Sequence, residues 1–544
     1  MTHPFSAAAR TANLDALGRE RFDVLVVGGG ITGAGVARDA AMRGLRVALV
    51  EQSDFASGTS SRSSRLIHGG LRYLEHGQIH LVYEASRERR TLLRIAPHLV
   101  HPLRFLWPVF ENARISRWKL HAGLLTYDAL ALFRNVATHR ALSTSMIAEY
   151  EPALRTLGLQ GGVSYYDAST DDIRLTLANV RAAAQAGAVV ANYVSVRELA
   201  MRDETVHGAT AEDLLCGRTV HIAARTVVNA TGPWSDAVRM LADPSAAPST
   251  RGTKGVHIAV PRERVGNHGA LTILSPIDGR VMFILPSGRL TIVGTTDTDF
   301  AGPLDAVRAT PDDIAYLLRT ANAYFPAAHL SPADVISAWA GVRPLVSDDA
   351  SSPGAVSREH AVTWTAPGLV TVSGGKLTTY RAMAEDVVDA VQKSFGEPVR
   401  RAPTHRVPLP GGELHSFADE VHRAQGAIGL PPLAEHLVRS YGSEWRDVWA
   451  IVGSNHALAA NVSPGLPYIA AELVWAVESE MALTLADLLV RRLHVAFETH
   501  DHGLAAAPAV ARVVAPLLGW NARRIEAELG RYGREVRGMF GVEE

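Results

Sequence analysis

The sequence predicts an α/β protein in which a buried parallel sheet is interleaved with a mixed or antiparallel one, followed by an all-helical C-terminal domain. Three observations carry this reading. Residues 22–50 follow a strand–glycine turn–helix–strand pattern of about 30 residues, the size of a minimal parallel crossover. Residues 255–298 instead read as antiparallel strands, with VMFIL and LTIVG flanking Pro286-Ser287-Gly288 as a hairpin. Beyond residue 413 the periodicity is helical, with no strand-like run.

Composition bounds the rest. The 544 residues are 47% hydrophobic and 20% charged, enough apolar matter for a large core, which excludes a disordered or fibrous chain. The net charge of −1 gives no global signal for nucleic acid. A single cysteine, Cys216, excludes an intramolecular disulfide and a cysteine-based metal site, and suits a reducing compartment. The first 22 residues lack a continuous apolar stretch and do not read as a secretory signal. No window of about 18 apolar residues reads as a membrane span.

Taken in order, FDVLVV (22–27) is a buried strand stopped by Gly28, Gly29 and Gly30. A helix is predicted over 31–43, ended by Gly44, and a second strand over 46–50, ended by Glu51. Residues 53–74 form a Ser/Gly/Arg-rich loop. Residues 78–136 are predicted helical, interrupted at Pro97, Pro102 and Pro108. Over 163–229 a helix at 174–186 alternates with strands at 189–194 and 226–229. Another strand at 369–372 runs into Gly374-Gly375 and a helix from Leu377. Residues 403–412, rich in Pro and Gly, read as a linker.

Gly28-Gly29-Gly30-Ile31-Thr32-Gly33 fits G-x-G-x-x-G between a predicted strand and helix, the context that gives the motif its value. Gly28 makes the tight turn, Gly30 lets backbone approach a pyrophosphate, and Gly33 lets helix and strand pack closely. The helix N-terminus offers N–H groups to phosphates. Glu51, 21 residues past Gly30, can accept from ribose hydroxyls. The fingerprint alone does not separate FAD from NAD. Its position near the start of the chain, and the late glycine turns at 229–232 (NATG) and 373–376 (SGGK), favour FAD.

The stretches VVGGGITGAGVARDAAMRGLRVALVE, TSSRSSRLIHGGLRYLEHG, NATGPWSD, KGVHI, GTTDTDF, GVRPL and SGGKLTTYRAMAED occur in this order. Over residues 22–400 they resemble the FAD-dependent, quinone-linked glycerol-3-phosphate dehydrogenases, a branch of the D-amino-acid-oxidase-like flavoproteins. The helical tail, with AAELVWAVESEMALTLADLLVRR, resembles that family's C-terminal domain. The resemblance implies a Rossmann-type FAD-binding domain with cofactor segments at 22–75, 160–250 and 340–400, and substrate segments at 76–159 and 251–339. It leaves an N-terminal extension at 1–21, a linker at 401–412 and a helical domain at 413–544.

The implied reaction is oxidation of sn-glycerol 3-phosphate to dihydroxyacetone phosphate, by hydride transfer to flavin N5, with electrons passed to membrane quinone. An oxidase using O2 and a flavin-binding redox sensor or scaffold without turnover are the alternatives. The resemblance implies cofactor contacts at Gly28, Gly30, Gly33, Glu51, Thr59, Ser60, Ser61, Ser63, His68, Gly69 and Gly70. It implies further ones at Val194, Ala230, Thr231, Gly232, Gly341, Gly374, Gly375, Lys376, Leu377 and Thr378.

For the substrate phosphate, an arginine fork is the best-matched cation. Arg343, stiffened by Pro344, is the first choice; Arg72, Arg358 and Lys376 complete the implied set. For the base, His257 in KGVHI is named, with His68 as competitor, because an imidazole of pKa about 6.5 suits proton transfer near neutrality. Tyr73 either orients the hydroxyl or packs on a ring, and Thr378 and Thr379 either serve the site or cap their helix. No histidine pair of metal-binding spacing is seen on a helix, so no metal is expected.

Residues 87–134 hold nine Lys/Arg against three Asp/Glu, namely Arg87, Arg89, Arg90, Arg94, Arg104, Arg114, Arg117, Lys119 and Arg134. Leu103, Phe105, Leu106, Trp107 and Phe110 lie among them. Such a segment is either a solvated helix face over core or a surface for anionic headgroups. With quinone as acceptor, the expectation is a cytoplasmic protein peripheral on the inner membrane face. A homodimer is left open.

Overall fold

The computed structural model describes residues 4–71, 78–111, 113–131, 136–346 and 359–543. Arg72, Tyr73, Arg134 and Arg358 lie outside the described residues.

The first sheet has the spatial order His360–Ala366, Leu369–Gly374, Thr219–Asn229, Arg21–Val27, Val47–Val50, Val189–Ala191. The last five strands run parallel, with Val27 beside Asn229 and Val50, and Val227 beside Leu369. A parallel sheet is covered on both faces, which is why FDVLVV is apolar throughout instead of alternating. Helix Ile31–Met42 covers one face; its Ala34, Ala37 and Ala40 are fully buried against helices Asp172–Gln185 and Tyr380–Ser394. Gly44 then takes a φ of +85°, as the expected helix-terminating glycine. Helix Ala7–Arg19 packs on the other face, so the N-terminal extension is part of this unit.

The second sheet has ten strands, in the main order Thr298–Asp299, Thr250–Pro261, Leu290–Gly294, Val281–Ser287, Ala270–Leu274, Val100–Phe110, Leu159–Thr170, Leu66–Ile67. Ser337–Val346 adds to Thr250–Pro261 along ten registered pairs. The predicted hairpin forms, but its two-residue turn is Gly288-Arg289, since Ser287 already pairs with Leu290.

Several expectations change. Residues 100–110 are not helical: V-H-P-L-R-F-L-W-P-V-F forms the long strand Val100–Phe110, and prolines exclude helix there. Pro102 and Pro108 are tolerated because the neighbouring strand Ala270–Leu274 pairs only at Phe105 and Leu106. The strand expected at 189–194 is two, Val189–Ala191 and Val194–Arg202, because Tyr193 turns the chain with a φ of +56°. The segment boundaries also move. Leu159–Thr170 and Ser337–Val346, placed by sequence mostly with the cofactor segments, pair in the second sheet.

The helical C-terminal domain includes Phe417–Ile428, Pro431–Tyr441, Trp445–Ser454, Ala470–Ser479, Ala507–Leu518 and Ala522–Phe540. Its connection is packed: Leu409 is fully buried and its N–H donates to Ile95 O at 2.8 Å. Buried ion pairs fix the domain to the first sheet's unit. Arg174 pairs with Glu480 at 2.7 Å, and Arg491 and Arg492 reach Asp54 at 2.8 and 2.6 Å. Burial opposes ionisation of Asp54, yet the two guanidinium groups hold its carboxyl below the usual range. Removing one partner of such a pair costs about 3–5 kcal/mol, because the other charge stays buried.

Candidate active site

A cavity of about 990 Å³ runs between the two sheets. At one end the wall is backbone. Gly28 takes a φ of +107°, and a Cβ there would stand 2.6 Å from Ala230 O. A Cβ on Gly33 would stand 1.9 Å from Gly28 O, so only glycine lets the helix start this close to the strand end. Glu51 ties the turn: its Oε2 accepts from Gly29 N at 2.6 Å and its Oε1 from Ser53 N at 2.9 Å. Burial pushes its carboxyl up, against the pull of those two donors. Ser60 Oγ accepts from Ile31 N at 2.9 Å, bringing the Ser/Arg-rich loop onto the helix N-terminus.

At the other end the wall is side chains from the second sheet. Strand Thr250–Pro261 presents His257, which pairs in register with Trp339; the same two strands set Thr253 opposite Arg343. The imidazole is stacked on the Trp339 ring (5.5 Å, 13°), and a side chain on Gly294 would collide with it. Ser64 Oγ lies 2.8 Å from His257 Nε2, and Nδ1 has no partner among the described residues. Burial, then the cations Arg343 and Arg65, pushes His257 down to about 3. This corrects the expectation of an imidazole of ordinary basicity: His257 is a neutral group in the resting cavity.

Arg343 donates to Asp297 Oδ1 at 2.9 Å and to Thr295 Oγ1 at 3.2 Å. Arg280 meets the other oxygen of Asp297 at 2.9 Å. Two guanidinium groups on one carboxylate orient each other; Asp278, 3.7 Å from Arg280, is not among the lining residues, so of this cluster the lining itself carries two cations to one carboxylate. Phe105, Tyr165, Thr272 and Phe283 complete this end. Tyr165 OH and Thr272 Oγ1 share a hydrogen bond at 2.8 Å, and burial pushes the phenol up. A small anion with an apolar body fits such a set: a cation pair for the charge, a neutral imidazole and hydroxyls for polar groups, aromatic rings for the rest.

Residues 23–389 match the family described as FAD dependent oxidoreductase, and residues 402–525 match the C-terminal domain of alpha-glycerophosphate oxidase. Glycerol-3-phosphate dehydrogenase 2 of Mycobacterium tuberculosis is 40% identical, over 97% of this chain and 90% of that protein. The mitochondrial glycerol-3-phosphate dehydrogenase of Mus musculus is 36% identical, over 93% and 72%. The X-ray structure of the glycerol-3-phosphate dehydrogenase from Bacillus halodurans complexed with FAD has a TM-score of 0.82 at 31% identity, covering 99% of each chain.

The chain belongs to the glycerol-3-phosphate dehydrogenase family of FAD-dependent oxidoreductases. It is an enzyme, and its cofactor is FAD.

The residues of this family member fit that cofactor. The glycine cradle would be filled by any Cβ, and the helix beyond it opens toward the cavity, as a diphosphate requires. Arg62, half-buried in the same wall, makes one side-chain hydrogen bond among the described residues, to Ala340 O at 3.2 Å. Burial and the neighbouring Arg491 push it down to about 10. A half-buried guanidinium with only a carbonyl partner is a ready counter-charge for an anion.

Most residues expected at the site line the cavity: Gly28, Gly30, Glu51, Thr59, Ser60, Ser63, His68, Gly70, Val194, Ala230, Thr231, Gly232, His257, Gly341, Arg343, Gly374, Gly375, Lys376, Leu377 and Thr378. Gly33, Ser61 and Gly69 are not among the lining residues and act from behind the wall. Ser61 Oγ donates to Gly58 O at 3.1 Å, and Gly69 N donates to Tyr127 OH at 2.9 Å. His68, the competing base, is tied by its backbone to Thr378 Oγ1 (3.2 Å), and its ring lies 6.5 Å from that of Phe283. Sequence reasoning missed Arg62, Ser64, Arg280, Thr295 and Asp297. Thr295 and Asp297 sit in GTTDTDF, which was visible as a family string but not as a site. Arg280 stands in no such string. Cys216 is exposed, with its Sγ 3.0 Å from Asp213 Oδ2, away from the cavity.

Proposed function

We propose that this protein oxidises sn-glycerol 3-phosphate at C2 to dihydroxyacetone phosphate. The observation that carries the reading is the Arg343–Asp297–Arg280 cluster, in one cavity with the glycine cradle and His257. The names of the full-length relatives support it. FAD, when bound, supplies the two-electron acceptor. The chain's own residues do the rest. Arg343 and Arg280 grip the phosphate, and Asp297 fixes the angle of both forks. The phosphate offsets the cations that depress His257, so its basicity rises when substrate is in place. A neutral imidazole then has a lone pair for the hydroxyl proton. The aromatic wall excludes water from the reacting carbon. Lys376, Gly374 and Gly375 serve the cofactor side, with Glu51 at the adenosine end.

The proposal extends to quinone as acceptor and to contact with an anionic membrane surface. Among the described residues no helix is long and apolar enough to cross a membrane. Most of the apolar residues expected at a membrane face are core instead: Phe105, Leu106 and Trp107 are buried in strand Val100–Phe110, and Arg89 is buried beside Asp167. The surface that remains is helix Arg117–Leu130. Trp118 is 70% exposed and Leu125 53%, beside the cations Arg117 and Lys119. Trp118→Ala with Leu125→Ala should abolish co-sedimentation with anionic vesicles at low salt; wild-type protein that never co-sediments removes this part.

An anaerobic titration tests the reaction. Glycerol 3-phosphate should bleach the visible flavin absorbance, and a quinone analogue should restore it. Reoxidation by O2 alone, with peroxide formed, would make the protein an oxidase. No bleaching would end the reading.

A further inference from the structure

The last helix, Ala522–Phe540, lies almost wholly beyond both family matches, which end at 389 and 525. Yet Arg531, Glu535, Gly538 and Met539 line the same cavity as Gly28, Gly30 and Glu51. Their spacing of i, i+4, i+7 and i+8 is one face of a helix, about 12 Å of rise along the cavity. We propose that this helix is a wall of the FAD site that retains the cofactor from the side the glycine cradle leaves open. The inference rests on the family's cofactor alone and is independent of the substrate.

Three observations support it. First, the helix is held in place by the rest of the molecule. Glu535 pairs with Arg491 at 2.8 Å, and Arg491 with Asp54, three residues past Glu51. Phe540 packs edge-on to Phe497 and stacks on His502. Glu543 N donates to Ala309 O at 2.9 Å, so the chain beyond the helix reaches the unit of the second sheet. The helix therefore spans the cavity between anchors on both units.

Second, its charges match the wall opposite. Arg531 sits over the Tyr193 ring at 5.0 Å, next to Val194 at the end of the cavity marked by Glu51. Glu535 brings a negative charge to Arg491 and near Arg62, which has no carboxylate in hydrogen-bond contact among the described residues. Arg491 is already met by Asp54, Asp487 and Glu535, and Arg531 by Glu528 at 4.0 Å, so Arg62 is the cation of this stretch that offers its charge to a diphosphate.

Third, Gly538 faces open space. A Cβ there meets nothing within 4 Å, although the residue lines the cavity, in the last turn of the helix. The glycine penalty of about 1 kcal/mol belongs to helix interiors and fades in a last turn, so a side chain here should leave the stability of the empty protein as it is. A bulky one extends from the lining toward what enters the cavity.

Gly538→Trp, Gly538→Ala and Arg534→Ala separate the outcomes, Arg534 being on the exposed face of the same helix. The readouts are flavin fluorescence on dilution of holoprotein, which follows FAD release, and the melting temperature of the apoprotein. Gly538→Trp should weaken FAD binding about tenfold or more with an unchanged apoprotein melting temperature. Gly538→Ala and Arg534→Ala should hold FAD like wild type. Glu535→Gln, which removes one of three carboxylates on Arg491 and an acid near Arg62 without adding bulk, should slow FAD release severalfold. Wild-type FAD release from Gly538→Trp, or equal losses in Gly538→Trp and Arg534→Ala, would overturn the proposal. No substrate is used, so failure of the proposed reaction would leave this result standing.

Discussion

The two ends of the cavity are built from different materials. The cofactor end is backbone: a strand end, a left-handed glycine and a helix N-terminus, all within residues 27–33. The substrate end is side chains from separate strands and loops, where Arg280, Asp297 and Arg343 meet only because the second sheet folds them together. Backbone recognition is local in the chain and unforgiving of any added atom. Side-chain recognition is distributed, and tolerates change in proportion to the charge or hydrogen bond lost.

The largest expected effect follows from the unforgiving end. Gly33→Val would drive a Cβ into Gly28 O, at 1.9 Å before any relaxation. Helix and strand must separate, costing about 3 kcal/mol or more. Protein purified with a wild-type flavin-to-protein ratio and an unchanged urea midpoint would break the contrast.

The substrate end should degrade by steps. Arg343→Ala should lose about 2–4 kcal/mol of transition-state stabilisation in kcat/KM, with FAD binding kept. An unchanged kcat/KM would remove Arg343 from the site. Asp297→Asn keeps both arginines and loosens their aim, and should cost about 10- to 100-fold in kcat/KM. If Asp297→Asn costs more than Arg343→Ala, Asp297 is doing more than orienting the forks.

The same contrast explains what could be read in advance. The crossover at residues 22–50 was legible because its pattern, turn and spacing are contiguous in the chain. Arg343 and His257 were visible through the strings around them. Arg280 was not, because nothing near it in sequence says that Asp297 will stand 2.9 Å away. The strand Val100–Phe110 was misread because its prolines suggested broken helix, while the partner that makes it a strand lies about 60 residues on, at Leu159–Thr170. Arg62 stood in a recognised loop, but its meaning is its place in the cavity wall beside a lone carbonyl partner, which only tertiary structure supplies.

His257 was misjudged for the same reason, and that error has a measurable consequence. Residue type suggests a group titrating near 6.5; burial beside Arg343 and Arg65 brings it to about 3, and burial brings His98, under the helical domain, to about 3 as well. Both are neutral in the folded protein and protonated in the unfolded chain below pH 6.5. The unfolded state therefore binds more protons between pH 3 and 6.5, so stability is fully present above that window and falls as pH falls through it. Each histidine should cost about 1.4 kcal/mol by pH 5.5. Urea midpoints of the apoprotein at pH 7.5 and 5.5 read the sum, and His98→Asn or His257→Asn should each flatten the difference by one such step. A difference untouched by His257→Asn would mean that its imidazole is already protonated when folded. The cation pair would then need a counter-charge beyond Asp297.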